Sequence, residues 1–332
     1  MSASTARAAS RILATTATEA RDRALLRAAD LLRTQTEAVL RANAEDLAAS
    51  TDVPSALRSR LALDAAKVET LARGLESVAA LPDPLGHVDL RRLLDEGLEL
   101  SRTTVPLGVL LVIFESRPDV AVQIGALAIK SGNGALLKGG REARRSVAAL
   151  LELMRQALSE TDLPPDALQA LASREDVDTL LDATADIDLV IPRGSSELVR
   201  SLQARTRTPV LGHAEGICHL YLDAAADPAM ALRLVRDAKL QYPAACNAVE
   251  TVLIHAGVAS ALVPALAADL GPQGVQLRGC PACRTLAPMA AATEADWDTE
   301  YGEPILALKV VADLDAALTA ALTIWCANQT RD

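Results

Sequence analysis

From Val105 onward, short apolar runs alternate with segments of helical periodicity, and this rhythm constrains the fold more than any other feature of the chain. The first apolar run ends at Phe114, and a helical segment begins at Pro118 and Asp119. Proline suits the first turn of a helix, and an acidic residue there faces the positive end of the helix dipole. Because strands that alternate with helices pair in parallel, the sequence predicts a doubly wound parallel α/β sheet.

The same rhythm continues along most of the chain. Residues 3–80 carry apolar side chains at helical spacing and predict N-terminal helices, and residues 88–105 predict short strands or a hairpin. We expect two domains, the first over residues 1–211 and a smaller α/β domain over residues 212–332. The further predicted strands are residues 135–138, 188–192, 208–211, 219–222, 251–255 and 303–311.

The composition excludes several classes of function. The chain has 33 basic and 43 acidic residues, a balance that argues against a nucleic-acid surface. No apolar run reaches the length of a membrane span, and the N-terminus lacks the apolar core of a secretory signal. The first residues are rich in Ala, Ser and Thr, so a transit peptide stays open as an alternative. We expect a cytoplasmic protein.

The cysteines do not form a disulfide or metal framework. Their number is odd and their density is low, unlike that of a secreted disulfide scaffold. Cys280 and Cys283 have CxxC spacing, but no second CxxC accompanies them, so we expect exposed thiols and no metal site; the sequence assigns them no role. The five cysteines are Cys218, Cys246, Cys280, Cys283 and Cys326.

Cys246 is the strongest candidate for catalysis. It lies in a short turn downstream of the predicted α/β unit, within residues 241–251. A cysteine in that setting suggests thiolate catalysis coupled to hydride chemistry. The alternative is a buried side chain that packs as a small hydrophobe, which is the commoner fate of a free cysteine.

Lys138 is a candidate cofactor ligand because it ends a predicted strand, and ligands of open α/β sheets bind at the carboxyl ends of strands. A cation there can meet the adenosine ribose or its 2′-phosphate; the alternative is an ordinary surface lysine. A strict dinucleotide-binding fingerprint is absent, because Gly132 and Gly134 are not followed by a third glycine at the required spacing. Those two glycines predict a helix stop.

Two further segments carry groups that suit anions. Gly194, Ser195 and Ser196 follow a predicted strand and open a helix, where free N–H groups can bind an anion; the alternative is helix capping by serine. Arg117 follows the first strand and can grip a carboxylate or phosphate with two N–H groups. Its alternative is a salt bridge to a neighbouring acid.

Together these segments resemble the gamma-glutamyl phosphate reductase family, also called glutamate-5-semialdehyde dehydrogenase, of the aldehyde dehydrogenase superfamily. The resemblance spans about residues 5–312 and keeps the order of the segments. It implies an aldehyde dehydrogenase-like fold with a doubly wound, parallel-sheet cofactor domain and a smaller catalytic domain, here incomplete. The segments that carry it are residues 105–119, 127–140, 191–196, 209–219 and 242–251.

The resemblance implies NADPH-dependent reduction of L-glutamate 5-phosphate to the 5-semialdehyde, with release of phosphate, in proline biosynthesis. By the same match, Cys246 is the nucleophile that forms a thioester, and Lys138 and Gly194–Ser196 correspond to cofactor-contacting regions. We further expect Asn247 and the Cys246 backbone N–H to help hold the oxyanion, and Arg117 to bind a substrate anion.

Two departures qualify the resemblance. Ordinary aldehyde dehydrogenases carry a glutamate that activates the hydrolytic water, whereas Val210 takes its place here. The likeness also fades after Val311, so we expect a C-terminally truncated chain. The family further implies a homo-oligomer and possible contact with glutamate 5-kinase. The alternative is an impaired remnant that binds nucleotide or forms hetero-oligomers.

Overall fold

A computed structural model describes residues 3–50, 58, 60–115, 117–194, 196–212 and 216–329 of the chain. The chain divides into two compact units, residues 1–212 and residues 213–332. Each unit has its own sheet and its own apolar core.

The first unit begins with helices whose apolar stripes face inward. In the second helix, Leu25, Ala28 and Leu32 recur at helical spacing and are buried, as expected for one face of an amphipathic helix. The prediction of an N-terminal helical region is confirmed. The helices are α1 (Ala3–Thr15), α2 (Thr18–Thr34), α3 (Thr36–Ala49) and α4 (Ala65–Ala79).

A two-stranded antiparallel hairpin follows, as the sequence predicted. It consists of β1 (Val88–Asp95) and β2 (Leu98–Thr103), and every residue of both strands is exposed. Apolar side chains such as Leu93 and Leu98 are therefore among the exposed ones.

The sheet of the first unit is parallel and has the strand order β5-β4-β3-β6. All five residues of its central strand β3 are buried, which explains why that strand reads as a continuous apolar run. Helices connect the strands. The elements are β3 (Val109–Ile113), α5 (Asp119–Lys130), β4 (Gly134–Lys138), α6 (Arg144–Glu160), β5 (Leu168–Ala170), α7 (Arg174–Leu181), β6 (Leu189–Pro192) and α8 (Ser196–Arg205).

The second unit contains another parallel sheet, with the strand order β10-β9-β11-β8-β7. Its core is built mainly from aliphatic side chains and also contains Trp297 and two cysteines. The elements are β7 (Cys218–Leu222), α9 (Pro228–Leu240), β8 (Val249–His255), α10 (Ala256–Leu270), β9 (Gln276–Gly279), α11 (Pro281–Leu286), β10 (Ala290–Ala291), β11 (Ile305–Val311) and α12 (Leu314–Gln329).

Two predictions about these elements were wrong. The segment 208–211 makes only an isolated parallel bridge, between Val190 and Val210. Cys280 and Cys283 are buried instead of exposed, because they pack into the core of the second unit with their sulfurs 3.6 Å apart. Burial raises the pKa of the Cys283 thiol to about 12.

The helices and the potential metal-binding side chains were also compared with what membrane spans and metal sites require. Among the described residues, no helix combines the length and the apolar character that crossing a bilayer requires. Within the same ranges, no group of three or more His, Cys, Asp or Glu side chains is placed to hold a metal ion.

Candidate functional site

Cys246 lies in an exposed turn between α9 and β8. The Ala245 N–H donates to the Tyr242 carbonyl at 3.0 Å, and the Ala248 N–H donates to the Ala245 carbonyl at 2.9 Å. These two successive turns present the Cys246 side chain to solvent, and the residue is exposed. The alternative of a buried packing residue is therefore wrong, and the thiol is accessible to a substrate.

The backbone behind Cys246 is packed tightly against Gly216. A Cβ atom built at Gly216 would lie 2.4 Å from the Cys246 carbonyl oxygen, too close for any side chain. The Gly216 N–H also donates to Glu300 Oε2 at 2.7 Å. Gly216 thus packs against the backbone of the Cys246 turn, and its own N–H is held by the Glu300 carboxylate.

The Cys218 thiol lies next to Gly216 and also contacts the Cys246 backbone. The Cys218 thiol donates to the Cys246 carbonyl at 3.7 Å, across the start of β7. Burial raises the pKa of Cys218, and the neighbouring Cys246 thiol adds to the rise. Cys218 therefore stays protonated at neutral pH and donates a hydrogen bond to the Cys246 turn.

A buried ion pair joins the two elements on either side of the Cys246 turn. Lys239, near the end of α9, donates to Glu250, near the start of β8, at 2.6 Å. Burial raises the pKa of the Glu250 carboxyl, and the hydrogen bond from Lys239 opposes this rise.

Asn247 lies beside the cysteine and is exposed.

In the first unit, Lys138 lies at the carboxyl end of β4, half-buried, with its Nζ donating to the Gly139 carbonyl at 2.6 Å. It lines a cavity of about 330 Å³ together with residues from α6 and from the segment after β5. Three of the lining side chains are cations, namely those of Lys138, Arg144 and Arg145. Cationic donors around a cavity at the strand ends fit a phosphorylated nucleotide.

Gly194 follows β6 at the same edge of the sheet. A Cβ atom there would lie 2.9 Å from Leu198 Cδ2 and 3.3 Å from the Glu115 carboxyl carbon, so a side chain would be crowded. The Arg193 N–H donates to the Ile113 carbonyl at 2.7 Å and joins this loop to β3. Helix α8 begins at Ser196, while Ser195 lies outside the described residues.

Arg117 is exposed and forms an ion pair with Asp119 at 2.9 Å. This is the salt bridge to a neighbouring acid that the sequence left as an alternative. A role for Arg117 in binding a substrate anion stays a prediction.

The comparisons with known proteins define the class first. The sequence model of the aldehyde dehydrogenase family matches residues 2–279. An acetylating aldehyde dehydrogenase from Geobacillus thermoglucosidasius has a TM-score of 0.65 at 16% identity, covering 97% of this chain and 77% of that one. That likeness supports the aldehyde dehydrogenase fold, which the sequence had predicted.

Nearer relatives narrow the assignment. A gamma-glutamyl phosphate reductase from Cyanothece sp. is 51% identical over 94% of this chain and 72% of the relative. One from Synechococcus sp. is 53% identical over 90% of this chain and 69% of the relative. The crystal structure of gamma-glutamyl phosphate reductase from Thermotoga maritima has a TM-score of 0.91 at 34% identity, covering 97% of this chain and 79% of that one. The chain belongs to the gamma-glutamyl phosphate reductase family of oxidoreductases.

Sequence reasoning missed the residues that support the Cys246 turn. Gly216, Cys218 and Glu250 all lie within the segments that carry the family resemblance, and this was the available signal. Lys239 and Glu300 lie outside those segments. Only the three-dimensional contacts connect them to the turn.

Proposed function

We propose that this protein reduces L-glutamate 5-phosphate to L-glutamate 5-semialdehyde with NADPH and releases phosphate, a step of proline biosynthesis. The observation that carries the proposal is the exposed Cys246 turn, supported from behind by Gly216, in a chain of this family. An exposed thiol on a backbone held in place has the access and the fixed geometry that nucleophilic catalysis requires.

In the first step the Cys246 thiolate attacks the acyl carbon of the substrate. A carbon–sulfur bond forms, the carbon–oxygen bond to the phosphate breaks, and phosphate leaves with the bonding electron pair. When bound, the nicotinamide supplies the hydride that reduces the thioester. The carbon–sulfur bond then breaks, and Cys246 returns as the thiolate while the aldehyde is released.

Both steps place negative charge on the substrate oxygen. Asn247 lies next to the nucleophile on the same exposed turn, and its side-chain amide is a donor of the right type. Together with the Cys246 backbone N–H, it would stabilise the oxyanion.

The cofactor proposal assigns Lys138 to the 2′-phosphate or the adenosine ribose of NADPH. Support comes from the cationic cavity at the end of β4. Gly194 and Ser196 open helix α8, whose first N–H groups suit the pyrophosphate, and we extend this assignment to Ser195. Aldehyde dehydrogenases use NAD(P), so the preference for NADPH is the specific part of this proposal.

Val210 supports reduction over hydrolysis. It occupies the place of the glutamate that activates water in ordinary aldehyde dehydrogenases, and here it bridges to Val190 and packs with an apolar cluster. An aliphatic side chain cannot accept a proton from water. A thioester on Cys246 would therefore survive until hydride reaches it.

The remaining assignments have two sources. The anion role of Arg117 comes from its guanidinium, which can grip an anion with two N–H groups, and the protein interactions come from the family. Arg117 would bind a substrate anion after exchanging its partner Asp119. Self-association and contact with glutamate 5-kinase are the proposed protein interactions.

The test is NADPH oxidation with glutamate 5-phosphate, or the reverse reaction with the semialdehyde, phosphate and NADP. We expect turnover by the wild-type chain and its loss in Cys246→Ala, with Cys218→Ala as the control that retains a measurable rate. A folded wild-type protein that binds NADPH without turnover would instead support the nucleotide-binding remnant.

A further inference from the structure

Two opposite charges are fully buried beside the Cys246 turn. Lys239 and Glu250 both have 0% of their side-chain surface exposed, and Lys239 Nζ lies 2.6 Å from Glu250 Oε2. The Lys239 ammonium also lies 5.9 Å from the centre of the Tyr301 ring. Removing two charges from water is unfavourable, and a well-packed apolar pair of similar volume often stabilises a fold as well or better. A contribution to stability therefore does not explain why this position holds a buried ion pair.

The two residues of the pair lie on either side of the loop that contains Cys246. Lys239 stands in the last turn of α9 and Glu250 is the second residue of β8, so the pair closes the loop of residues 241–248. Cys246 lies within that loop. An ion pair with a hydrogen bond fixes both the distance and the direction between its partners, which an apolar contact does not.

The same carboxylate reaches a second segment. The Gly302 N–H donates to Glu250 Oε1 at 3.3 Å, while Glu300, two residues earlier, accepts from the Gly216 N–H at 2.7 Å. Gly216 in turn lies against the Cys246 carbonyl. Glu250 is thus joined to the Cys246 turn both along the chain and through the segment that holds Gly216.

We propose that Lys239 and Glu250 are positioning residues, whose buried ion pair clamps the loop 241–248 and fixes the orientation of Cys246. Neither side chain touches the substrate; they act through the backbone of the loop. The inference rests on the proposed function for the role of Cys246. The effect of the ion pair on the loop 241–248 can be measured separately, without any enzymatic turnover.

The test replaces the pair with apolar side chains of similar size, in the variant Lys239→Met/Glu250→Leu. Because the core volume is kept, we expect a folded protein. Without the clamp, we expect kcat to fall by roughly 100-fold with little change in KM, the effect of a small misplacement of the reacting group. Amide hydrogen exchange in residues 241–248 should rise by about tenfold, while exchange in β8 stays slow.

The matched control is the ion pair between Arg236 and Asp269, which also starts from α9 but lies on the surface. The variant Arg236→Met/Asp269→Leu should keep the wild-type kcat and the wild-type exchange in the loop. If the two double variants changed kcat and loop exchange equally, the proposal that the Lys239–Glu250 pair clamps the loop would be overturned.

Glu250→Gln keeps the inference falsifiable if the apolar variant does not fold. It preserves the shape and an acceptor oxygen but removes the charge, so loop exchange should rise to an intermediate level. Wild-type exchange and wild-type kcat in a folded Glu250→Gln protein, whose Lys239 has lost its anionic partner, would overturn the proposal. If Cys246→Ala retains turnover, the proposed function fails, whereas faster loop exchange would still support the clamp.

Discussion

The edge of the sheet in the first unit and the Cys246 turn in the second unit hold their candidate functional residues in place in different ways. Lys138 and Gly194 stand at the carboxyl ends of parallel strands, so the sheet itself places them. Cys246 stands on an eight-residue connection, where no ladder of backbone hydrogen bonds fixes it. Its placement comes from contacts with Gly216, Cys218 and the buried ion pair.

The difference shows what each region tolerates. A residue at a strand end keeps its position as long as the sheet forms, and changing its side chain alters binding without altering the fold. The position of the turn depends on a few contacts with residues outside it, so single changes at those contacts should affect stability and activity together. Substitutions in the two regions should therefore differ in both the size and the kind of their effect.

Lys239→Met should have the largest effect, because it leaves the Glu250 carboxylate buried without its cation. We expect the free energy of unfolding to fall by about 3–5 kcal/mol. Urea denaturation followed by circular dichroism measures it. Arg236→Met, on the same helix but at an exposed ion pair, should change stability little. Similar losses of unfolding free energy in Lys239→Met and Arg236→Met would contradict the expected difference between the buried and the exposed ion pair.

Gly216→Ala should have the next largest effect. The added Cβ would lie 2.4 Å from the Cys246 carbonyl oxygen, so the turn must shift. We expect a loss of about 1–3 kcal/mol in stability, as for other overpacked sites, and a fall in kcat of roughly 10- to 100-fold. Gly271→Ala is the control in the same unit, since nothing lies within 4 Å of its Cβ. Unchanged kcat in a folded Gly216→Ala would show that the contact does not place Cys246.

Lys138→Ala should have the smallest effect on the fold and a specific effect on binding. Loss of a cation that meets the 2′-phosphate should weaken NADPH binding by about tenfold or more and leave NADH binding nearly unchanged. Isothermal titration of both nucleotides measures the difference, and Arg91→Ala in the exposed hairpin is the control. Equal weakening of NADPH and NADH would assign Lys138 to the ribose and not to the phosphate.

The sequence predicted the two regions unequally, and the reason is physical. Apolar runs such as Val109–Ile113 reveal buried strands, and strand ends then identify residues such as Lys138. The short strands β9 and β10 and helix α11 escaped prediction because they span only a few residues each. Long-range contacts leave no local pattern at all, so neither the clamp of Lys239 and Glu250 nor the burial of Cys283 was foreseen.

If Cys246 forms the covalent intermediate, the reverse reaction must stop at an acyl group on this residue when phosphate is absent. The wild-type protein is mixed with glutamate 5-semialdehyde and NADP in the absence of phosphate, so that oxidation of the aldehyde stops at the enzyme-bound acyl group. NADPH absorbance and peptide mass spectrometry then follow the reaction. The account predicts a burst of NADPH equal to the amount of active enzyme, with the glutamyl adduct on the peptide that contains Cys246. A burst with the adduct on another residue, or a folded NADP-binding protein that gives neither burst nor adduct, would contradict it.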